Sequence, residues 1–113
     1  MDAKESDTFR SATTQRRMTM AYYAIAHIRE KGQYLIIVPL DSSFAEKPST
    51  DQQALLHSLQ ACAQAANLQG TVVPVWRDGG RVHALAPVPW QVFFRKISWG
   101  FIAQNLNKVL TCG

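Results

Sequence analysis

Two turn signals constrain this chain more than any other feature. Ile28-Arg29-Glu30-Lys31-Gly32-Gln33-Tyr34 and Trp76-Arg77-Asp78-Gly79-Gly80-Arg81-Val82 share one pattern: apolar, Arg, acid, any residue, Gly, polar, apolar. The second lies 48 positions after the first (78 − 30), and Pro39 and Pro87 each fall seven residues after the last Gly of their signal. An acid-x-Gly triplet between apolar runs is what a tight β-hairpin demands, because Gly supplies a positive φ without steric cost. The flanking runs, 21–29, 33–40, 71–77 and 81–86, therefore read as strands. Leu35-Ile36-Ile37-Val38 is unbroken and predicts burial on both faces. Pro74 inside the third run predicts an edge position or a bulge.

A helical signal follows each hairpin. After Pro48, Ser49 or Thr50 can cap a helix, with Gln52 or Gln53 reaching back. Its apolar stripe is Leu55, Leu56, Leu59, Cys62, Ala63 and Ala66, and Gly70 is its expected stop. The chain thus reads ββα-ββα, with repeat units of about 21–69 and 70–113. The expected fold class is α+β: duplicated ββα units giving a four-stranded antiparallel sheet with two helices on one face. Residues 1–18 are polar and read as a flexible N-terminal tail, leaving 19–113 as a single domain.

The second helical signal, Val88–Leu110, differs from the first. Trp90, Phe93, Phe94, Ile97 and Phe101 form one stripe at helical spacing. Trp99, Ile102, Leu106, Val109 and Leu110 form another, roughly 160° away around the axis. The switch falls near Gly100, so a helix kinked there is expected. Two opposed apolar faces are either both covered within one domain, or one meets the chain's own sheet and the other a second subunit; an apolar open face of the sheet is the other surface that could self-associate. Trp90, Phe94, Trp99, Phe101, Ile102 and Leu106 are the self-association candidates.

Charge points to a second reading. The net charge is +4, and residues 70–113 hold Arg77, Arg81, Arg95, Lys96 and Lys108 against Asp78 alone. Arg29, Lys31, Arg77 and Arg81 at the hairpin tips, with Arg95 and Lys96, are candidate nucleic-acid or anion contacts that could straddle a phosphate backbone.

Chemistry-bearing patterns are sparse. His27, His57 and His83 lack the spacing of a zinc site, and no Cys-x-x-Cys occurs. His57 and Cys62 point about 140° apart on a helix, which disfavours a Cys–His nucleophile. Glu30, Asp51 and Asp78 have structural tasks at turns and a helix start, leaving Asp41 and Glu46 without one. Asp78-Gly79-Gly80-Arg81 leads into a strand, whereas a phosphate-cradling loop leads into a helix. No metal, cofactor or enzymatic activity is expected. The two cysteines are too few for a disulfide framework. Cys62 reads as a small core residue and Cys112 as an exposed, frayed end, which suits a reducing cytoplasmic setting. The charge-free run Val82–Phe94 is too short to span a bilayer. Arg16-Arg17 before an apolar run has some character of an export signal, but that run reads better as a strand. The leading functional reading is a small non-enzymatic binding or assembly module that forms a homodimer. The alternative is a small basic nucleic-acid-binding protein.

Overall fold

A computed structural model describes residues 20–112; the tail expected at 1–18 lies outside the described residues. The elements run β1 (Ala21–Glu30), β2 (Gln33–Pro39), a 3-10 turn (Ser42–Glu46), α1 (Ser49–Ala65), β3 (Thr71–Asp78), β4 (Arg81–Ala84), α2 (Val88–Lys96), α3 (Trp99–Gln104) and β5 (Lys108–Cys112). The strands form one five-stranded sheet in the order β4-β3-β2-β1-β5. The class is α+β, but the sheet is mixed and has a fifth strand. β2 and β3 pair in parallel, with Leu35 opposite Thr71 and Pro39 opposite Val75. The other three pairings are antiparallel.

The expectation of two helices on one face is also corrected. Side chains alternate across a strand, so neighbouring residues serve opposite layers. Ala26, Leu35, Ile37, Val73 and Val75 pack against Trp90, Phe94 and Ile102 of α2 and α3. Ile25, Ile36, Val38, Val72 and Leu110 pack against Leu59 and Ala63 of α1. Helices therefore cover both faces. β2 accordingly has Leu35, Ile36, Ile37 and Val38 fully buried, as its unbroken apolar run predicts.

The ββα order does occur twice, but the second unit is not a copy of the first. β4 has 4 residues against the 7 of β2, and the second helix is split and followed by an extra strand. Because β2 and β3 are parallel, the β1–β2 tip lies where β2 begins and the β3–β4 tip where β3 ends. The two tips are at opposite ends of the sheet.

Local chemistry explains the punctuation. Both hairpins have two-residue loops in which both residues take positive φ: Lys31 (52°) with Gly32 (77°), and Gly79 (60°) with Gly80 (81°). Such turns match the twist of the strands they join. The first loop is thus Lys31-Gly32, shorter than the Glu30-Lys31-Gly32 turn expected. Pro74 is tolerated in a strand that is not an edge. Its carbonyl accepts from the Leu85 amide at 3.0 Å, so its missing N–H faces the same side, just past the last residue of β4.

α1 does not end at Gly70. Asn67 takes φ 60°, the Leu68 amide donates to the Ala63 carbonyl at 2.9 Å, and the Asn67 amide donates to the Gln64 carbonyl at 3.0 Å. This pair of bonds satisfies the last helical carbonyls and turns the chain. Gly70 serves the next contact. It sits at φ 129°, and a Cβ there would fall 2.6 Å from the Tyr34 carbonyl oxygen. Gly70→Ala is expected to cost roughly 3 kcal/mol, from φ strain and backbone displacement together. Chemical denaturation checks it; a loss indistinguishable from zero would show that β2 does not press on Gly70.

The Val88–Leu110 stretch is not one kinked helix. Ile97 is extended (φ −86°, ψ 154°), and the Ser98 hydroxyl accepts from the Phe101 amide at 3.0 Å to start α3. The break precedes Gly100 and rotates the second helix. Trp90, Phe94 and Ile102 thereby converge on one sheet face, ringed by Phe93, Ile97, Trp99 and Phe101. Asn105 ends α3, and the chain re-enters the sheet as β5. There the Asn107 side chain donates to the His27 carbonyl and accepts from the His27 amide, both at 2.9 Å. It thereby extends the β1–β5 pairing by one side-chain rung.

Candidate functional site

The structure separates the self-association candidates. Trp90, Phe94 and Ile102 are 7%, 2% and 0% exposed and belong to the chain's own core. Trp99 and Phe101 are half-buried against it, and the Arg77 guanidinium lies over the Trp99 ring, 5.4 Å from its centroid. Of the six, Leu106 alone is an exposed large apolar side chain, at 39%.

The apolar surface that remains lies elsewhere. Tyr22 and Val109 are 68% and 66% exposed, with Met20 beside them in sequence. Tyr22 pairs with Thr111 and Ala24 with Val109, so Tyr22 and Val109 are diagonal neighbours on one sheet face. That is the face served by α2 and α3, which are short and pack over β1 only from Ala26 inward. On the opposite face, Tyr23, Ile25, Leu110 and Cys112 of the same strands are covered by α1.

The basic candidates are also divided. Arg29 stacks on Tyr34, 5.6 Å from the ring centroid, and stands with Lys31 at the β1–β2 end. Arg77 and Arg81 stand at the opposite end, beside the β3–β4 tip. Arg81 and Arg95 are brought together. They line a cleft of about 410 Å³ along the outer edge of β4, with Gly80, Val82, His83 and Ser98. A smaller hollow of about 200 Å³ continues it over Ala84, Ala86 and Phe94. Among the described residues no carboxylate lines either. Lys96 closes the C-terminal turn of α2, where a cation complements the helix dipole. His83 stacks on Trp76 at 6.0 Å, and Trp76 packs on Phe44 of the 3-10 turn at 5.3 Å.

A third cleft, of about 390 Å³, lies between α1 and residues 85–87, with His57 and Gln60 among its walls. Gln60 is already committed: its amide donates to the Gly70 carbonyl at 3.2 Å and its oxygen accepts from the Val72 amide at 3.0 Å. It serves the side of β3 that β4 is too short to reach. Among the described residues His57 is left as the one titratable group in this mainly apolar cleft, and none of them pairs with it as acid and base.

Asp41 has the task it lacked in the sequence. Its carboxylate accepts from the Ser43 amide at 3.0 Å, capping the 3-10 turn; hydrogen bonding from the Ser43 side chain first, and from its amide second, holds the Asp41 pKa below the usual carboxylate value. Among the described residues, no group of three His, Cys, Asp or Glu side chains is placed to hold a metal ion, and no helix is long and apolar enough to cross a membrane.

The cysteine reading is corrected. Cys62 on α1 and Cys112 on β5 form a disulfide, with Cα atoms 5.5 Å apart and a sequence separation of 50. Cys112 is half-buried and held, not frayed. The available signal was alternation: Leu110 and Cys112 share the inward parity of a strand. No known protein family, curated protein or solved structure matches the chain.

Proposed function

We propose that the chain is a small non-enzymatic binding module that self-associates, a second copy covering the bare face of β1 and β5. The observation that carries this reading is Tyr22 and Val109, at 68% and 66% exposure, diagonal neighbours next to a sheet edge that no strand among the described residues pairs with. Adjacent exposed apolar side chains at a strand edge favour pairing with another chain. Of the two surfaces the sequence offers, the aromatic helix and an open sheet face, this assignment takes the sheet; of the six helix candidates only Leu106 is an exposed large apolar side chain. Sedimentation velocity at micromolar concentration tests it. The expected result is a reversible dimer whose dissociation constant rises at least about tenfold in Val109→Lys, a change that an edge strand tolerates. A monomer across the whole concentration range would overturn the reading.

Nucleic-acid binding by the two hairpin tips has less support. The tips point to opposite ends of the sheet, so they do not straddle one backbone. What supports an anion-binding role is narrower: Arg81 and Arg95 in one cleft. The disulfide also weighs against a persistently reducing, cytoplasmic setting, because such bonds persist in oxidising compartments.

A further inference from the structure

We propose that the outer edge of β4 is a docking site for an extended peptide bearing acidic side chains, which would add to the sheet as a sixth strand. The argument begins with the hydrogen-bond phase of β4. In an antiparallel pair, hydrogen-bonded and non-hydrogen-bonded residue pairs alternate. The Leu85 amide bonds to the Pro74 carbonyl at 3.0 Å, which sets that phase. Counting back in steps of two, His83 opposite Trp76 and Arg81 opposite Asp78 turn their backbone groups toward β3. Val82 and Ala84, opposite Arg77 and Val75, therefore turn their N–H and C=O groups outward, to the side where the sheet ends. Two outward residues offer two donors and two acceptors, in the spacing that an incoming strand reads.

The surroundings select the chemistry of that strand. A bound strand would alternate its side chains between the two sides of the sheet. Arg81 projects with His83 toward the side of α1, while Arg95 reaches the same cleft from α2 on the other side. The floor on the α2 side is apolar: Val82, Ala84 and Phe94. Two guanidiniums flank the open edge, and among the described residues no carboxylate lines the cleft; Asp78 lies across the strand pair from Arg81. Guanidinium forks bind carboxylates in a bidentate manner, so acidic side chains at alternate positions, all on the α1 side, complement Arg81; the intervening apolar side chains meet the α2-side floor, and Arg95 adds its positive charge to the same cleft. Nucleic acid fits less well. Two cations neutralise few phosphates, His83 already stacks one face on Trp76, and outward strand amides suit a polypeptide. This site is at the opposite end of the sheet from the self-association surface, so the two proposals fail independently.

The test uses the full, oxidised chain and fluorescence anisotropy. The probe is a labelled hexapeptide of alternating Glu and Val. Three comparators complete the set: the Lys–Val peptide, the Glu–Val peptide with alternate backbone amides methylated, and a single-stranded oligonucleotide. The expected result is saturable binding of the Glu–Val probe that weakens with salt. It should be at least about tenfold weaker in R81Q/R95Q, and about as much weaker in Ala84→Pro, which removes an outward donor without touching the β3 ladder. The Lys–Val and methylated peptides should not bind. Amide NMR shifts on titration should centre on Val82 and Ala84, and circular dichroism of each variant should match the parent. No saturable binding, equal binding of the Lys–Val or methylated peptide, affinity unchanged in both variants, or tighter binding of the oligonucleotide would each overturn the proposal.

Discussion

Replacing both Cys62 and Cys112 by Ser is expected to lower the stability of the fold by about 4 kcal/mol. The bond joins residues 50 apart in sequence, and closing a loop of that length removes about that much chain entropy from the unfolded state. It also ties β5 to α1. Without it, the last strand is held by its pairing with β1 and by Leu110, its one buried side chain. For a domain of this size the loss corresponds to a fall in Tm of roughly 20 °C. Thermal unfolding followed by circular dichroism reads this directly. Adding a phosphine reductant to the parent chain should produce the same fall, and leave the Ser double variant unmoved. If reduction does not change Tm, or if thiol titration of the untreated protein finds two free cysteines, the pairing is not present in solution.

Phe94→Ala should cost about 3–5 kcal/mol, the usual loss for an aromatic side chain removed from a close-packed core. Phe94 is 2% exposed and meets Phe93 edge-on at 5.1 Å, within the cluster that includes Leu35, Ile37 and Val75. Val92 lies on the same helix, two residues away and 50% exposed. Val92→Ala should stay within about 0.5 kcal/mol, since it removes little buried surface and Ala favours the helix. The contrast matters more than either value. Similar losses at both positions, measured by urea denaturation, would mean that α2 presents a different face to the sheet. A shift of Phe94→Ala toward a weaker dimer, with its folding stability intact, would restore the aromatic helix as an interface.

Some of this architecture is plain in the residues. Leu35-Ile36-Ile37-Val38 marks a central strand because four successive apolar side chains need cover on both faces. Lys31-Gly32 and Gly79-Gly80 mark the hairpins because their loops require positive φ. α1 begins at Ser49, close to where the capping pattern places a helix start, but the expected Ser or Thr cap does not form: Pro48 is the N-cap, no side chain caps it, and Gln52 donates instead to the Phe44 carbonyl at 3.0 Å. The C-terminal third is harder. Leu106, Val109 and Leu110 fit a helical stripe, yet Val109 and Leu110 also fit a strand, and a short run satisfies both periods. Gly100 is the weaker helix former, so it draws attention as the break; Ser98 makes the break, because its side chain caps the next helix. The pairing of Cys62 with Cys112 depended on recognising β5, and was lost with it. The candidate sites followed the same line. Arg81 and Arg95 were named but not joined, since nothing in their spacing says that α2 folds back along β4.

The residues by themselves determined where the chain turns, which runs extend, where the first helix begins and that the class is α+β. These are local matters, set by φ preferences, caps and side-chain alternation within a few residues. Only the tertiary structure decided that β2 and β3 run parallel, that helices take opposite faces, that a fifth strand closes beside β1, and that no described element covers Tyr22 or Val109 or pairs with the β4 edge. Those outcomes rest on burial between residues dozens of positions apart. The hydrophobic effect that drives it is non-directional, so an apolar stripe requires a partner without specifying which one.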